Sequence, residues 1–173
     1  MKYIYYDPNK SVVWVRVFRS ASTSLYWSAF RHAVAIEVED AKSLIDLPWV
    51  FNPRDPLDRY VSGFNQLMEH APGTVKDFAD FVDKTLSGVL IPSHVMTYEG
   101  MLSGLKTPEI KLSFETLAQD YAAVKDYYGW DDLQTLKPSN RTETWNTLKL
   151  QLTAQQLADV EGKYASDMTV YGK

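Results

Sequence analysis

The sequence contains no cysteine, and this absence excludes a disulfide framework and a thiolate metal site anywhere in its 173 residues. Histidine is also scarce. His32, His70 and His94 are the three present, and their separations do not match the ligand spacing of a zinc motif. The sequence therefore gives no support for metal chemistry.

Positive charge is in deficit. The chain has 18 Lys and Arg residues against 22 Asp and Glu residues, which gives a formal net charge of -4 at pH 7. Nucleic-acid-binding proteins normally carry an excess of basic residues, because these displace counterions from phosphates. We therefore expect no nucleic-acid partner, and any site for an anion has to be local.

Long apolar runs are missing as well. No stretch approaches the roughly 20 apolar residues that cross a bilayer, and the opening segment MKYIYYDPNK lacks the apolar run of a signal peptide. We expect a soluble, cytoplasmic protein with no membrane partner. Because 45% of the residues are hydrophobic and 23% are charged, residues 1–173 are expected to form a single globular domain.

What the sequence does contain is an alternation of strand-like and helix-like segments. Residues 11–18, SVVWVRVF, are rich in β-branched and aromatic residues, which is typical of a buried strand. The hydroxyl residues at 22–24 are good N-caps, so a helix is expected to begin there. The other expected elements are strands at 34–38, 49–53 and 110–114, and helices at 39–46, from Pro56, at 74–86, at 115–128 and from the Thr153–Gln156 capping box to about Tyr164.

Strands that alternate with helices favour an α/β layer fold whose mainly parallel sheet is joined by right-handed crossovers. Ligands of such sheets bind beyond the carboxyl ends of the strands. Functional side chains are therefore expected where the strands at 11–18 and 49–53 end.

The polar turn RSASTS, residues 19–24, follows the first of these strands. Small residues let the backbone approach a ligand, N–H groups at a helix start point outward, and the helix dipole favours an anion. The hydroxyl groups and the Arg19 guanidinium add further donors. This composition suits a cradle for phosphate or sulfate, although a serine-rich turn before a helix is by itself more often only a capped turn.

The motif NPRDPLDRYVS follows the other strand. Arg54 is expected just past the strand end and Ser62 two helical turns farther on, so both can face one anion. The alternative is that Arg54 and Arg59 form exposed ion pairs with Asp55 and Asp58, each worth less than about 1 kcal/mol.

Together the two segments resemble the PAPS-dependent sulfotransferases, in particular the carbohydrate-type members. VFRSASTSL is similar to the 5'-phosphosulfate loop of that family, and NPRDPLDRYVSGF is similar to its 3'-phosphate motif, an R-D-P-x-x-R-x-x-S pattern. Weaker similarity continues through IKLSFETLAQDY, PSNRT and KYASDMTVYG. The resemblance implies a three-layer fold with a P-loop-like phosphosulfate loop, PAPS as the sulfuryl donor, PAP as the product, and a carbohydrate or other small-molecule acceptor.

The resemblance also assigns roles to individual residues. The 5'-phosphosulfate would be held by backbone amides and hydroxyls of Ser20, Ala21, Ser22, Thr23 and Ser24. Arg54 and Ser62 would bind the 3'-phosphate. The family usually has a catalytic lysine where this chain has Arg19, which keeps the charge but is a poor proton donor because its pKa exceeds about 12. Arg19 is therefore expected to stabilise the leaving phosphate and the sulfuryl oxygens electrostatically.

A general base is expected because the acceptor loses a proton as it attacks. In the members that the chain resembles, the base usually lies between the two phosphate motifs, where this chain has His32, Glu37, Glu39 and Asp40, none of them in a recognisable motif. The candidates carried forward are Glu37, His32 and His94, the last because it is similar to a histidine downstream of the 3'-phosphate motif in some members. Glu37 can face a cleft from its strand, whereas a charge on a strand edge is more often only solvated, and His94 is more often a capping or core histidine. The sequence does not decide which tryptophan would stack on adenine, and the candidates are Trp27, Trp49, Trp130 and Trp145.

Two other functions fit parts of the sequence. A nucleotide-dependent phosphotransferase is one, but the G-x-x-x-x-G-K-[ST] loop that such enzymes use is absent. A non-catalytic family member that binds PAP is the other, since Arg19 replaces the usual lysine and no base is evident.

Overall fold

The computed structural model describes residues 3–90, 95–130 and 144–172. The chain divides into two compact units, and each has its own hydrophobic cluster. The first unit comprises Met1–Arg54 and Leu102–Asn140, and the second comprises Asp55–Met101 and Arg141–Lys173. The expectation of a single domain stays a prediction.

The first unit is built on a mixed five-stranded sheet with the order β3-β1-β2-β4-β5. The strands are β1 Ile4–Asp7, β2 Val12–Val15, β3 Val34–Ile36, β4 Trp49–Phe51 and β5 Ile110–Lys111. β1 pairs antiparallel with β2 and with β3, whereas β2 with β4 and β4 with β5 are parallel. The mixed α/β character agrees with the sequence analysis, but the expectation of a mainly parallel sheet does not hold for these pairings.

The difference arises from β1, a strand that is not among those expected from the sequence. Ile4 lies opposite Val15 and Asp7 lies opposite Val12, so β1 and β2 form a hairpin. Asp7 fixes the turn, because its Oδ1 accepts hydrogen bonds from the backbone N–H groups of Asn9 at 2.9 Å and Lys10 at 3.2 Å. A strand that enters by a hairpin is necessarily antiparallel to its neighbour.

Helices account for most of the remaining described structure. In chain order they are α1 Ser22–Ser28, α2 Val38–Lys42, α3 Pro56–His70, α4 Phe78–Leu86, α5 Tyr98–Leu102, α6 Leu117–Tyr128, α7 Trp145–Leu148, α8 Ala154–Lys163 and α9 Ala165–Tyr171. The predicted end of α6 at Gly129 is confirmed by the left-handed φ of 65° at that residue. The predicted capping box of Thr153 and Gln156 at the start of α8 is also present. Within the described ranges, no helix combines the length and the apolar character needed to cross a bilayer.

In the first unit, α1 and α6 cover one face of the sheet. Leu25 and Phe30, at and just after α1, pack with Trp14 of β2 and Tyr121 of α6 in one buried cluster. The rings of Trp14 and Phe30 are stacked with their centres 4.8 Å apart. This packing holds α1 against β2 of the sheet.

The second unit is helical in its described part. Asp55 caps α3 by accepting hydrogen bonds from the N–H groups of Leu57 and Asp58, both at 3.0 Å, and Pro56 occupies the first turn as predicted. The apolar stripe of α3 packs against α4, α7 and α8 in a second cluster that includes Tyr60, Phe64, Phe78, Phe81 and Trp145. α5, α7 and α9 were not predicted.

Candidate functional site

The segment between β2 and α1 has an unusual backbone. Arg19 and Ala21 both have positive φ values, 64° and 55°, although neither is glycine. Such left-handed conformations cost about 1–2 kcal/mol for a residue with a Cβ and persist where the surrounding structure enforces them. Ala21 is followed by helical Ser22, and this left-handed to right-handed sequence turns successive N–H groups toward the same side, as in anion-binding nests.

The predicted start of α1 is confirmed, but the predicted caps are not. Ala21 is the N-cap of α1, and no side chain forms a capping hydrogen bond there. The hydroxyl residues Ser22, Thr23 and Ser24 lie inside the first helical turn instead. None of these hydroxyl groups caps α1, so N-capping does not explain the serine-rich sequence of this turn.

Asn52, the residue after β4, holds the segment in place. Its buried side chain accepts hydrogen bonds at Oδ1 from Trp14 Nε1 at 2.9 Å and from Val17 N at 3.1 Å, and its Nδ2 donates to Ser20 O at 2.8 Å. β2 and β4 are parallel neighbours, so their carboxyl ends meet at one edge of the sheet. Asn52 thereby ties the segment after β2 to the end of β4.

Arg54 lies at the same place. Its Nη1 donates a hydrogen bond to the carbonyl oxygen of Arg19 at 3.1 Å, and its guanidinium lies 4.5 Å from the centre of the Phe114 ring, which follows β5. Two residues from separate predicted anion motifs, Arg19 and Arg54, are thus in direct contact at the carboxyl edge of β2 and β4. We call residues 19–24 together with Arg54 the edge site.

The edge site contains a buried hydroxyl group with no partner. Ser20 has no exposed surface, and its Oγ makes no hydrogen bond. Burying a hydroxyl group without a partner costs about 1–3 kcal/mol, so such groups usually have a role. A bound anion is one means of satisfying this donor.

Ser62 and Arg59 lie in the second unit. Ser62 is on α3 and is buried. Arg59 is also buried, forms an ion pair with Asp167 at 3.6 Å, donates to the carbonyl oxygen of Met96, and lies 4.7 Å from the centre of the Tyr98 ring. Arg59 therefore has a structural role within its own unit, and Asp167 is not one of the carboxylates that the sequence suggests as its partners. That Ser62 shares a phosphate with Arg54 stays a prediction.

Asp167 is fully buried, and its carboxylate accepts hydrogen bonds from the backbone N–H of Tyr98 at 2.7 and 2.8 Å. Burial raises the pKa of Asp167 above its usual value, while the N–H group of Tyr98 and the Arg59 guanidinium act in the opposite direction. Asp167 and Tyr164 belong to the segment KYASDMTVYG that carries the weaker family resemblance.

The three candidate bases differ in placement. Ile36 of β3 and Val15 of β2 both lie opposite Ile4 of β1, so β3 and β2 end at the same edge of the sheet. Glu37 directly follows Ile36, and it therefore lies two strand spacings, about 10 Å, from the start of the segment after β2. His32 is exposed and accepts a hydrogen bond from Arg31 Nε at 3.1 Å. His94 lies outside the described residues, as does PSNRT.

The four tryptophans considered for adenine stacking also differ. Trp49, Trp130 and Trp145 are at most 6% exposed, whereas Trp27 on α1 is 63% exposed. A ring that stacks on a ligand has to be accessible. Trp27, four residues beyond Thr23, is therefore the tryptophan whose exposure suits that role.

Comparisons of the chain with protein-family models, with curated protein sequences and with solved structures found no match. A function therefore has to be inferred from the residues themselves and their geometry. The sequence motifs assign no role to Asn52, which holds the edge site in place through its contacts with Val17 and Ser20. The signal for Asn52 was its position, since a polar residue at the end of a buried strand usually needs a partner.

The strained backbone of the edge site can be tested by substitution. Ala21→Gly is expected to raise the free energy of unfolding by about 1 kcal/mol, because glycine adopts a left-handed conformation without the Cβ penalty. The same change at exposed Ala122 inside α6 is expected to lower it by about 1 kcal/mol. Urea unfolding measures both. If both substitutions raised, or both lowered, the free energy of unfolding, the left-handed conformation of Ala21 would be contradicted.

Proposed function

We propose that this chain is a PAPS-dependent sulfotransferase, which moves the sulfuryl group of PAPS to a hydroxyl or amine of an acceptor and releases PAP. The observation that supports this most directly is the contact of Arg54 with the carbonyl of Arg19, which joins the segment resembling a phosphosulfate loop to the segment resembling a 3'-phosphate motif. The buried Ser20 hydroxyl group adds a donor without a protein partner. Both features lie where ligands of sheets with parallel strands bind.

The chemistry follows from the residues of the edge site. An acceptor oxygen attacks the sulfur atom, a new S–O bond forms, and the bond from sulfur to the 5'-phosphate oxygen breaks. The electron pair of the broken bond stays with PAP, and the acceptor proton passes to a base. Arg19 provides positive charge for the leaving oxygen without giving up a proton. Glu37 is the candidate base, since its strand ends at the same edge of the sheet.

A binding experiment tests the proposal. A ligand that binds the folded state stabilises it by mass action, so PAP at about 100 times its Kd is expected to add about 2.7 kcal/mol to the free energy of unfolding and to raise Tm. ATP at the same concentration is the control, because a phosphotransferase would respond to ATP instead. No shift with PAP, or an equal shift with ATP, would remove the proposed function.

A non-catalytic PAP-binding protein is the second candidate, because Arg19 stands in place of the usual lysine. Transfer of labelled sulfate from PAPS to a panel of sugars, phenols and amines separates the two possibilities. Product formation establishes the enzyme, whereas PAP binding without transfer to any acceptor favours the binding protein.

A further inference from the structure

A further arginine, Arg16, lies along the chain between β2 and the edge site. Arg16 follows β2 directly, and its guanidinium carbon is 5.5–5.9 Å from the centres of four aromatic rings, those of Tyr5, Trp14, Phe18 and Tyr26. Its Nη1 donates a hydrogen bond to the hydroxyl of Tyr5 at 3.2 Å. The cation is therefore held in a fixed position by ring faces and one hydroxyl group.

Arg16 has no counter-charge in the part of the chain that the structure describes. None of the ion pairs found there involves Arg16. Its Nε is buried and makes no hydrogen bond. Ring faces offset part of the desolvation of a cation but do not neutralise its charge. An anion bound close by would therefore be attracted to this position.

The position of Arg16 connects it with the edge site. Its Cα lies within about 11 Å of the Arg19 Cα, because three residues cannot extend farther. Ser20, one residue beyond Arg19, carries the other buried donor without a partner in this stretch. Two such donors within residues 16–20 are a second observation, independent of the ring contacts, that indicates a ligand here.

We propose that Arg16 is a positioning residue of the edge site, whose fixed charge attracts the 5'-phosphate end of the nucleotide. The inference rests on the proposed function and extends it to a residue outside the resembling motifs. At an effective dielectric constant of about 20, two unit charges separated by about 10 Å, a distance comparable with the Cα span from Arg16 to Arg19, attract each other strongly enough to change affinity about tenfold. The charge of Arg16 should therefore strengthen binding of a 5'-phosphate more than binding of a 3'-phosphate.

The test is Arg16→Met, which keeps an unbranched side chain among the rings and removes the charge. Kd is measured for PAP, for adenosine 5'-phosphate and for adenosine 3'-phosphate over a range of salt concentrations. We expect about tenfold weaker binding of the first two, unchanged binding of adenosine 3'-phosphate, and a shallower salt dependence for PAP. Arg16→Lys keeps the charge and is expected to retain most of the affinity.

The ratio of the Kd values for adenosine 5'-phosphate and adenosine 3'-phosphate in one protein sample is insensitive to partial unfolding. The comparison therefore remains valid if Arg16→Met destabilises the protein. Equal losses for the 5'- and 3'-phosphates, or wild-type affinity for PAP with the wild-type salt dependence, would show that Arg16 only supports the fold. Failure of the unmodified protein to bind PAP overturns the proposed function itself. The two failures are thus distinguishable.

Discussion

Replacing Arg19 by alanine is expected to lower kcat for sulfate transfer about 100-fold or more, with a smaller effect on the Kd of PAP. A group that stabilises charge developing in the transition state typically contributes a factor of about 100–1,000 to the rate. The substitution leaves the carbonyl oxygen that accepts from Arg54 Nη1 in place, so the contact between the two motifs can persist. Single-turnover transfer of labelled sulfate, with PAP binding in parallel, measures both quantities.

Two matched variants make the result specific to position 19. Arg19→Lys restores the residue that the resembling family uses, and it is expected to keep or raise kcat because lysine can also donate a proton. Lys42→Ala removes the same unit of charge from an exposed pair with Glu39 on α2, and it is expected to leave the rate unchanged. Full turnover by Arg19→Ala would exclude its electrostatic role.

Replacing Asp167 by alanine is expected to lower the free energy of unfolding by about 3–5 kcal/mol. The change leaves the buried Arg59 guanidinium without its carboxylate, and it removes the acceptor of the Tyr98 N–H group. Removing one partner of a buried pair is costly because the remaining charge stays desolvated. Urea unfolding followed by circular dichroism gives the free energy and the m-value.

Asp159 is the matched control for Asp167, since it is exposed on α8 and accepts a hydrogen bond from Gln155 at 2.8 Å. Asp159→Ala is expected to change stability by less than about 0.5 kcal/mol. The double variant Arg59→Met with Asp167→Leu removes both charges and is expected to recover a large part of the loss. Similar losses for Asp167→Ala and Asp159→Ala would show that the buried pair contributes little.

Local elements with strong sequence signals were predictable. The stripe of α3 behind Pro56, the capping box of α8 and the glycine after α6 each depend on residues a few positions apart. α5 and α7 have five and four residues, which is too short for helical periodicity to show. β1 was not predicted because IYYD is a four-residue run within the opening segment MKYIYYDPNK, and its pairing is decided by the hairpin and not by its own pattern.

The candidate site was predictable only where the rule applied that ligands bind beyond the carboxyl ends of parallel strands. That rule placed residues 19–24 and Arg54 at carboxyl ends of strands, and the two come into contact across 35 positions. The Asn52 contact with Ser20 spans 32 positions, and that of Asp167 with Tyr98 spans 69. Hydrogen bonds over such separations depend on the assembled fold, so a single sequence cannot indicate them.

The hydrogen bonds of Asn52 have a consequence for the order of events during synthesis. The side chain that holds residues 19–24 in place belongs to Asn52, which is synthesised 32 positions after Ser20. Until residue 52 has emerged from the ribosome, the nascent chain lacks the hydrogen bonds that Asn52 makes with Val17 and Ser20. Residues 19–24 are therefore synthesised before Asn52, and they acquire their final conformation only when β4 has joined the sheet.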